Sequence, residues 1–190
     1  MTTKPTLLLH SCCAPCSSSV LERLTEAFDV TVFYYNPNIF PESEYKKRLA
    51  EQKTYLQTLG IKIIEGNYNP SEFLKAIKSK EDLPERSARC YECYKLRLTA
   101  TKNLATKLNF NYFTTTLSVS PHKNADWLNQ IGNSLSSSTC QYLEANFKKQ
   151  NGYLRSLQLS KQHGFYRQTY CGCEMSMLAS LNKLEKKQNV

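Results

Sequence analysis

The sequence predicts an α/β fold, a parallel sheet with helices on its faces, and two observations carry that prediction. In the first third of the chain, apolar runs of strand length alternate with amphipathic stretches of helix length, the pattern of βαβ units. The chain, at 190 residues, also has the size that buries a core without covalent staples. Residues 1–190 therefore read as a single domain, with no internal repeat.

Strands are expected at Thr6–His10, Val30–Tyr35 and Ile61–Glu65, each a short apolar or β-branched run. Between them, Ser17–Phe28 and Ser43–Leu59 read as helices, the second with Tyr45, Leu49, Leu56 and Leu59 along one side. Asn36-Pro37-Asn38 ends the second strand, because proline and asparagine favour turns over continued pairing. A further helix over Pro84 to Leu108 follows from the recurrence of Cys93, Leu96, Ala100, Leu104 and Leu108 at spacings of three and four. Tyr112–Leu117 reads as a fourth strand, Ser118–Pro121 as a loop, and a helix begins near Asn124. Beyond it the signals describe a helical and loop-rich C-terminal portion: loop at Ser136–Thr139, a short helix at Gln141–Lys149, loops over Gly152–Cys173 and a terminal helix at Glu174–Lys187.

The N-terminal apolar run Leu7-Leu8-Leu9 is too short for a signal-peptide core or a membrane span. A cytoplasmic location with no membrane partner is the expectation. In that reducing compartment clustered thiols point to metal or redox chemistry rather than to disulfides. The 25 Lys and Arg against 16 Asp and Glu give a net charge of +9. Between Trp127 and Cys173 the one acid is Glu144, against Lys148, Lys149, Arg155, Lys161 and Arg167. Such a field fits a polyanion such as RNA, or a merely solvated basic surface.

Seven of the 8 cysteines fall into three motifs. Cys12, Cys13 and Cys16 follow the first strand where a helix should start, and a helix N-terminus lowers thiol pKa and favours anions. Cys90 and Cys93 lie three apart near the start of a helix, so both project from one face toward one ion or cluster. Cys171 and Cys173 flank Gly172, which lets the backbone bend so that both sulfurs face one centre. Singly, CxxC also fits a redox pair or half a zinc site, and CxC a local disulfide. Seven thiols exceed the four that one zinc ion or one cubane cluster uses, so either two centres share them or some act in catalysis. Cys140, in Ser-Ser-Ser-Thr-Cys-Gln, has no partner spacing and reads as structural.

With their surroundings, these motifs resemble the QueH type of epoxyqueuosine reductase, which completes the queuosine modification of tRNA. The resemblance runs through His10-x-Cys-Cys-x-Pro, Phe33-Tyr-Tyr-Asn-Pro-Asn-Ile39, Glu44-Tyr-x-x-Arg48, Arg89-Cys-x-x-Cys-Tyr-x-x-Arg-Leu98, Thr115-Thr-Leu-x-Val-Ser-Pro121 and Tyr166-Arg-Gln-x-Tyr-Cys-Gly-Cys173. The stretch from Asp126 to Phe165 carries no such motif. The resemblance implies a doubly wound sheet of the HUP class and a [4Fe-4S] cluster beside a second, mononuclear metal, iron. It implies as substrate a tRNA with a GUN anticodon that carries epoxyqueuosine at the wobble position, and an electron donor that the sequence does not identify. Cys12, Cys13, Cys90, Cys93, Cys171 and Cys173 become candidate cluster ligands, and Cys16 joins them as a metal ligand, although family members can carry aspartate at that position.

Removing the epoxide oxygen takes two electrons, two protons and a Lewis acid, which accounts for two centres. Proton-donor candidates beside the motifs are Tyr35, His10 and Tyr170. His10 also fits a group that orients the thiolate loop, or a histidine bonded at a strand end. Asn36 and Asn38 are candidates for substrate hydroxyls, or turn formers. Arg89, Arg97, Lys123 and Arg167 are candidates for RNA phosphates, or surface charges. Two rivals share parts of this pattern. An ATP-dependent PP-loop enzyme needs a glycine-rich cradle after strand one, which Ser-Cys-Cys-Ala-Pro-Cys lacks. A non-catalytic zinc module that binds RNA would be colourless and hold zinc.

Overall fold

The computed structural model describes residues 3–188. Its elements run β1 (Thr6–His10), α1 (Ala14–Leu24), β2 (Asp29–Tyr34), α2 (Glu42–Thr58), β3 (Lys62–Glu65), α3 (Pro70–Ala76), α4 (Ala88–Lys107), β4 (Tyr112–Thr115), a 3-10 turn (Thr116–Val119), α5 (Ala125–Leu135), β5 (Gln141–Tyr142), α6 (Gly152–Gln162) and α7 (Glu174–Gln188). The strands form one sheet in the order β3-β2-β1-β4-β5, every pair parallel. This is the predicted doubly wound sheet. Strand order reverses between β1 and β4, and ligands of such sheets gather outside the carboxyl ends at that point.

The sheet is covered on both faces, which is why β1 reads as an unbroken apolar run. Leu8 points with Phe33 and Phe113 toward Leu98 of α4 and Leu128 of α5. Leu7 and Leu9 point the other way, with Val30 and Val32, toward Val20 and Leu21 of α1 and Leu56 of α2. No helix among the described residues is long and apolar enough to cross a membrane.

Several expected boundaries move. The first helix begins at Ala14 rather than Ser17, with Pro15 in its first turn, where proline's fixed φ suits a helix start and its missing N–H costs nothing. α4 begins at Ala88, with Ser87 at its N-cap position, not at Pro84. Residues 141–149 are not a helix: Gln141 and Tyr142 pair with Tyr112 and Phe113 as a fifth strand. Part of the expected loop after Gly152 is helix α6, docked on α1 by Arg155 to Glu22 (2.7 Å) and by Arg23 to the carbonyl of Gln150 (2.8 Å). The short α3, capped by Asn69, was not expected.

The buried stripes also shift. In α2 the buried side chains include Glu44, Tyr45, Arg48, Gln52, Tyr55 and Leu56, while Leu59 is exposed. In α4 they include Cys90, Cys93, Tyr94, Arg97, Leu98, Thr101 and Ala105, while Leu108 is exposed. In both helices polar groups occupy positions that apolar periodicity assigns elsewhere, and these groups belong to the site.

Candidate metal centre

Cys12, Cys13 and Cys16 lie at the carboxyl end of β1 and the start of α1, with Cys13 at the N-cap position. Their sulfurs lie within 4.8 Å of one another, and among the described residues this is the one group of three or more ligating side chains so close. Cys12 and Cys13 approach to 3.8 Å. Hydrogen bonds from Cys13 and Cys16, with the charges of Arg97 and Arg48, hold the Cys12 thiol well below the usual thiol range against its burial. The hydrogen bond to Cys12 together with burial raises the Cys13 thiol, and the bonds to Cys12 and Cys13 with burial raise Cys16. Three converging thiols suit a single soft metal ion.

The other four thiols converge separately. Cys90 and Cys93 from the first turns of α4, and Cys171 and Cys173 from the loop before α7, line one cavity of about 10 Å³ with Asn38, Phe73, Arg89, Tyr94, Arg97 and Lys123. Burial pushes Cys93 up to about 11 and raises Cys173. Gly172, at φ 139°, makes the turn between the last two cysteines, and a Cβ there would press on Ile39 and Asn38 at 3.2 and 3.3 Å. Four thiols from a CxxC and a CxC are the number and kind of donors that a cubane cluster takes.

Buried cations surround these thiols. Arg48 bonds Glu44 at 2.7 Å and the carbonyl of Cys171 at 3.3 Å. Arg89 donates to the carbonyl of Glu81 (2.9 Å) and Arg97 to that of Cys93 (3.2 Å). Lys123 donates to the sulfur of Cys171 and lies 3.8 Å from Glu85. Among the described residues neither Arg89 nor Arg97 has a carboxylate partner. Arg48 Nη2, Arg89 Nε and Arg97 Nη2 are buried with no acceptor, and the Asn36, Asn38 and Gln168 side-chain oxygens are buried with no donor. A buried cation without an anion is costly, so this setting fits metal-bound thiolates.

An open cleft of about 360 Å³ adjoins the thiols, with Cys12, Cys16, Asn38, Arg97, Lys123 and Cys171 among its walls, and Arg167, Tyr170 and Lys183 also lining it. Its volume suits a small-molecule-sized group. Tyr170 donates to the carbonyl of Phe40, and its hydroxyl is pushed up to about 12 by burial and Glu44. Tyr35 lies behind the thiols rather than on the cleft, its hydroxyl donated to Glu72 and its pKa raised by burial and that contact. His10 is fully buried between three strands. Its Nε2–H donates to the Tyr35 carbonyl (3.0 Å), so Nδ1 accepts from the Thr115 hydroxyl (2.9 Å). Burial and Arg97 lower its pKa to about 4, and it stays neutral. Asn36 donates to the carbonyl of Ser11 at 2.8 Å. Arg89, Arg97 and Lys123 face the thiols and not solvent, whereas Arg167 is exposed. Cys140 is buried in the core cluster formed with Phe113 and Tyr142.

Two supporting residues escaped the sequence reading. Gln168 donates to the sulfur of Cys13 at 3.2 Å; it lies inside the Tyr166–Cys173 motif, which was its available signal. Gln52, fully buried in α2, takes the hydroxyls of Ser11 (2.9 Å) and Ser17 (3.1 Å), bracing the cysteine loop from both ends. Nothing in the pattern of α2 marks it.

The family described as epoxyqueuosine reductase QueH matches over residues 7–179. The chain is 38% identical over 177 residues to the epoxyqueuosine reductase QueH of Streptococcus pyogenes serotype M1, covering 90% of this chain and 69% of that protein. It is 37% identical over 179 residues to that of Staphylococcus epidermidis, covering 90% and 75%. To that of Thermotoga maritima it is 36% identical over 182 residues, covering 94% and 93%.

Proposed function

The chain belongs to the QueH family of epoxyqueuosine reductases, and we propose that it reduces epoxyqueuosine at the wobble position of a GUN-anticodon tRNA to queuosine. The observation that carries the reading is the placement of Arg48, Arg89, Arg97 and Lys123, all buried, against seven thiols with too few carboxylates to balance them. That environment stabilises anionic, metal-bound sulfur. Cys90, Cys93, Cys171 and Cys173 would hold a [4Fe-4S] cluster, and Cys12, Cys13 and Cys16 a mononuclear iron. When bound, the cluster supplies electrons singly and the iron supplies a Lewis acid.

The chain's own groups do the rest. The cleft receives the modified base, and the unpartnered oxygens of Asn38 and Gln168 accept substrate hydroxyls. Tyr170, on the cleft and protonated throughout neutral pH, supplies a proton at its hydroxyl. His10 and Tyr35 stand behind it as positioning groups that fix the ends of β1, β2 and β4. Arg167 and Lys183 hold backbone phosphates at the rim, where their contribution weakens with salt. Arg89, Arg97 and Lys123 balance thiolate charge.

Anaerobically purified protein should be brown, contain iron and acid-labile sulfide, and convert tRNA-borne epoxyqueuosine when given an electron donor. Folded protein free of iron from that preparation, or turnover that requires ATP hydrolysis, would contradict the reading.

A further inference from the structure

The four-thiol cavity and the cleft share a wall of four residues, Asn38, Arg97, Lys123 and Cys171. An electron passing from one space to the other crosses it. Two members of the wall are cations, and their bonding differs. Lys123 is committed to the sulfur of Cys171, with Glu85 beyond. Arg97 spends Nε on the carbonyl of Cys93 and has a cation–π contact with Tyr94 at 5.9 Å, while its Nη2 is buried with no acceptor. It also has no carboxylate partner among the described residues.

Its attachment is rigid. Arg97 lies four residues after Cys93 and seven after Cys90 on α4, so one helix carries the charge and two of the thiols on the same buried face. A guanidinium does not lose its proton at any working pH, so the charge is constant. A fixed cation in a water-poor wall favours the more negative state of whatever the thiols hold, because charges there are weakly screened.

We propose that Arg97 is a positioning charge that holds up the reduction potential of the four-thiol centre and so makes that centre easier for its electron donor to reduce. The inference rests on the four-thiol cavity being a redox centre.

The test compares wild type, Arg97→Gln and Arg97→Lys, each reconstituted anaerobically with iron and sulfide. Iron and sulfide content, thermal midpoint and the potential of the centre by EPR-monitored titration are measured. Glutamine should shift the potential to more negative values, and lysine, which keeps the charge, should stay near wild type. Equal potentials for wild type and Arg97→Gln would overturn the inference while leaving the redox reading intact. If the glutamine variant fails to load, the lysine variant decides. Loading at the wild-type potential supports the charge role, and failure to load, or a shifted potential, overturns it. Wild-type protein without iron and sulfide would overturn the redox reading and the inference together.

Discussion

Gln168 donates its Nε2–H to the sulfur of Cys13 across 3.2 Å, and this bond ties the loop that carries Cys171 and Cys173 to the loop that follows β1. The residues are 155 positions apart, and the contact joins the two segments that carry the two groups of thiols. Partners of metal ligands commonly contribute ten- to a hundredfold in metal affinity. Gln168→Leu is therefore expected to weaken iron binding at the triad by about tenfold or more, with the thermal midpoint little changed. Iron retention during chelator challenge measures this, and wild-type retention would show that the bond is incidental.

How far the sequence disclosed this arrangement differs between its parts. The sheet was legible because β1 carries an uninterrupted apolar run and β2 a β-branched and aromatic one between turn formers, and Asn36-Pro37-Asn38 closes β2 where expected. The thiols were legible because cysteine spacing survives any uncertainty in element boundaries. Their division into three and four was not, since it depends on where α4 and the loop before α7 meet in space. Arg97 read as a charge for RNA phosphates or for the surface, and Gln52 drew no reading, because periodicity expects apolar side chains inside; the thiols beside Arg97 and the hydroxyls of Ser11 and Ser17 beside Gln52 account for them. β5 was missed because two residues, Gln141 and Tyr142, carry no pattern of their own and pair only because β4 offers an open edge.

His10 makes folding sensitive to acid. Its folded pKa of about 4 lies below the ordinary value of 6.5, so on acidification the unfolded chain takes up the proton first. The associated stability is complete above about pH 6.5 and is lost as pH falls toward about 4, an effect of order 3 kcal/mol. Urea unfolding at pH 7 and pH 5 should show a steeper loss for wild type than for His10→Gln. Equal losses would contradict the assignment of a neutral, buried imidazole.

Gly152 begins α6 under a backbone atom. A Cβ there would meet the carbonyl oxygen of Phe147 at 1.9 Å, a contact that no side-chain rotation relieves. Gly152→Ala should destabilise the fold by about 1–3 kcal/mol, read as a lower denaturation midpoint. An unchanged midpoint would show that α6 is not docked as described.

Cys140 separates packing from ligation. It is 1% exposed in the core beside β4 and β5, so Cys140→Ala should lower the thermal midpoint and leave iron and sulfide at wild-type levels. A fall in iron would place Cys140 among the ligands.

The division of the seven thiols into a group of four and a group of three is tested most directly by counting iron and acid-labile sulfide per chain, after anaerobic preparation, in wild type, Cys16→Ala and Cys93→Ala. On the proposed assignment, in which the triad takes an ion without sulfide, Cys16→Ala should lose iron and keep its sulfide, whereas Cys93→Ala should lose both. Equal losses of sulfide from the two variants, or folded wild-type protein free of iron, would contradict the division.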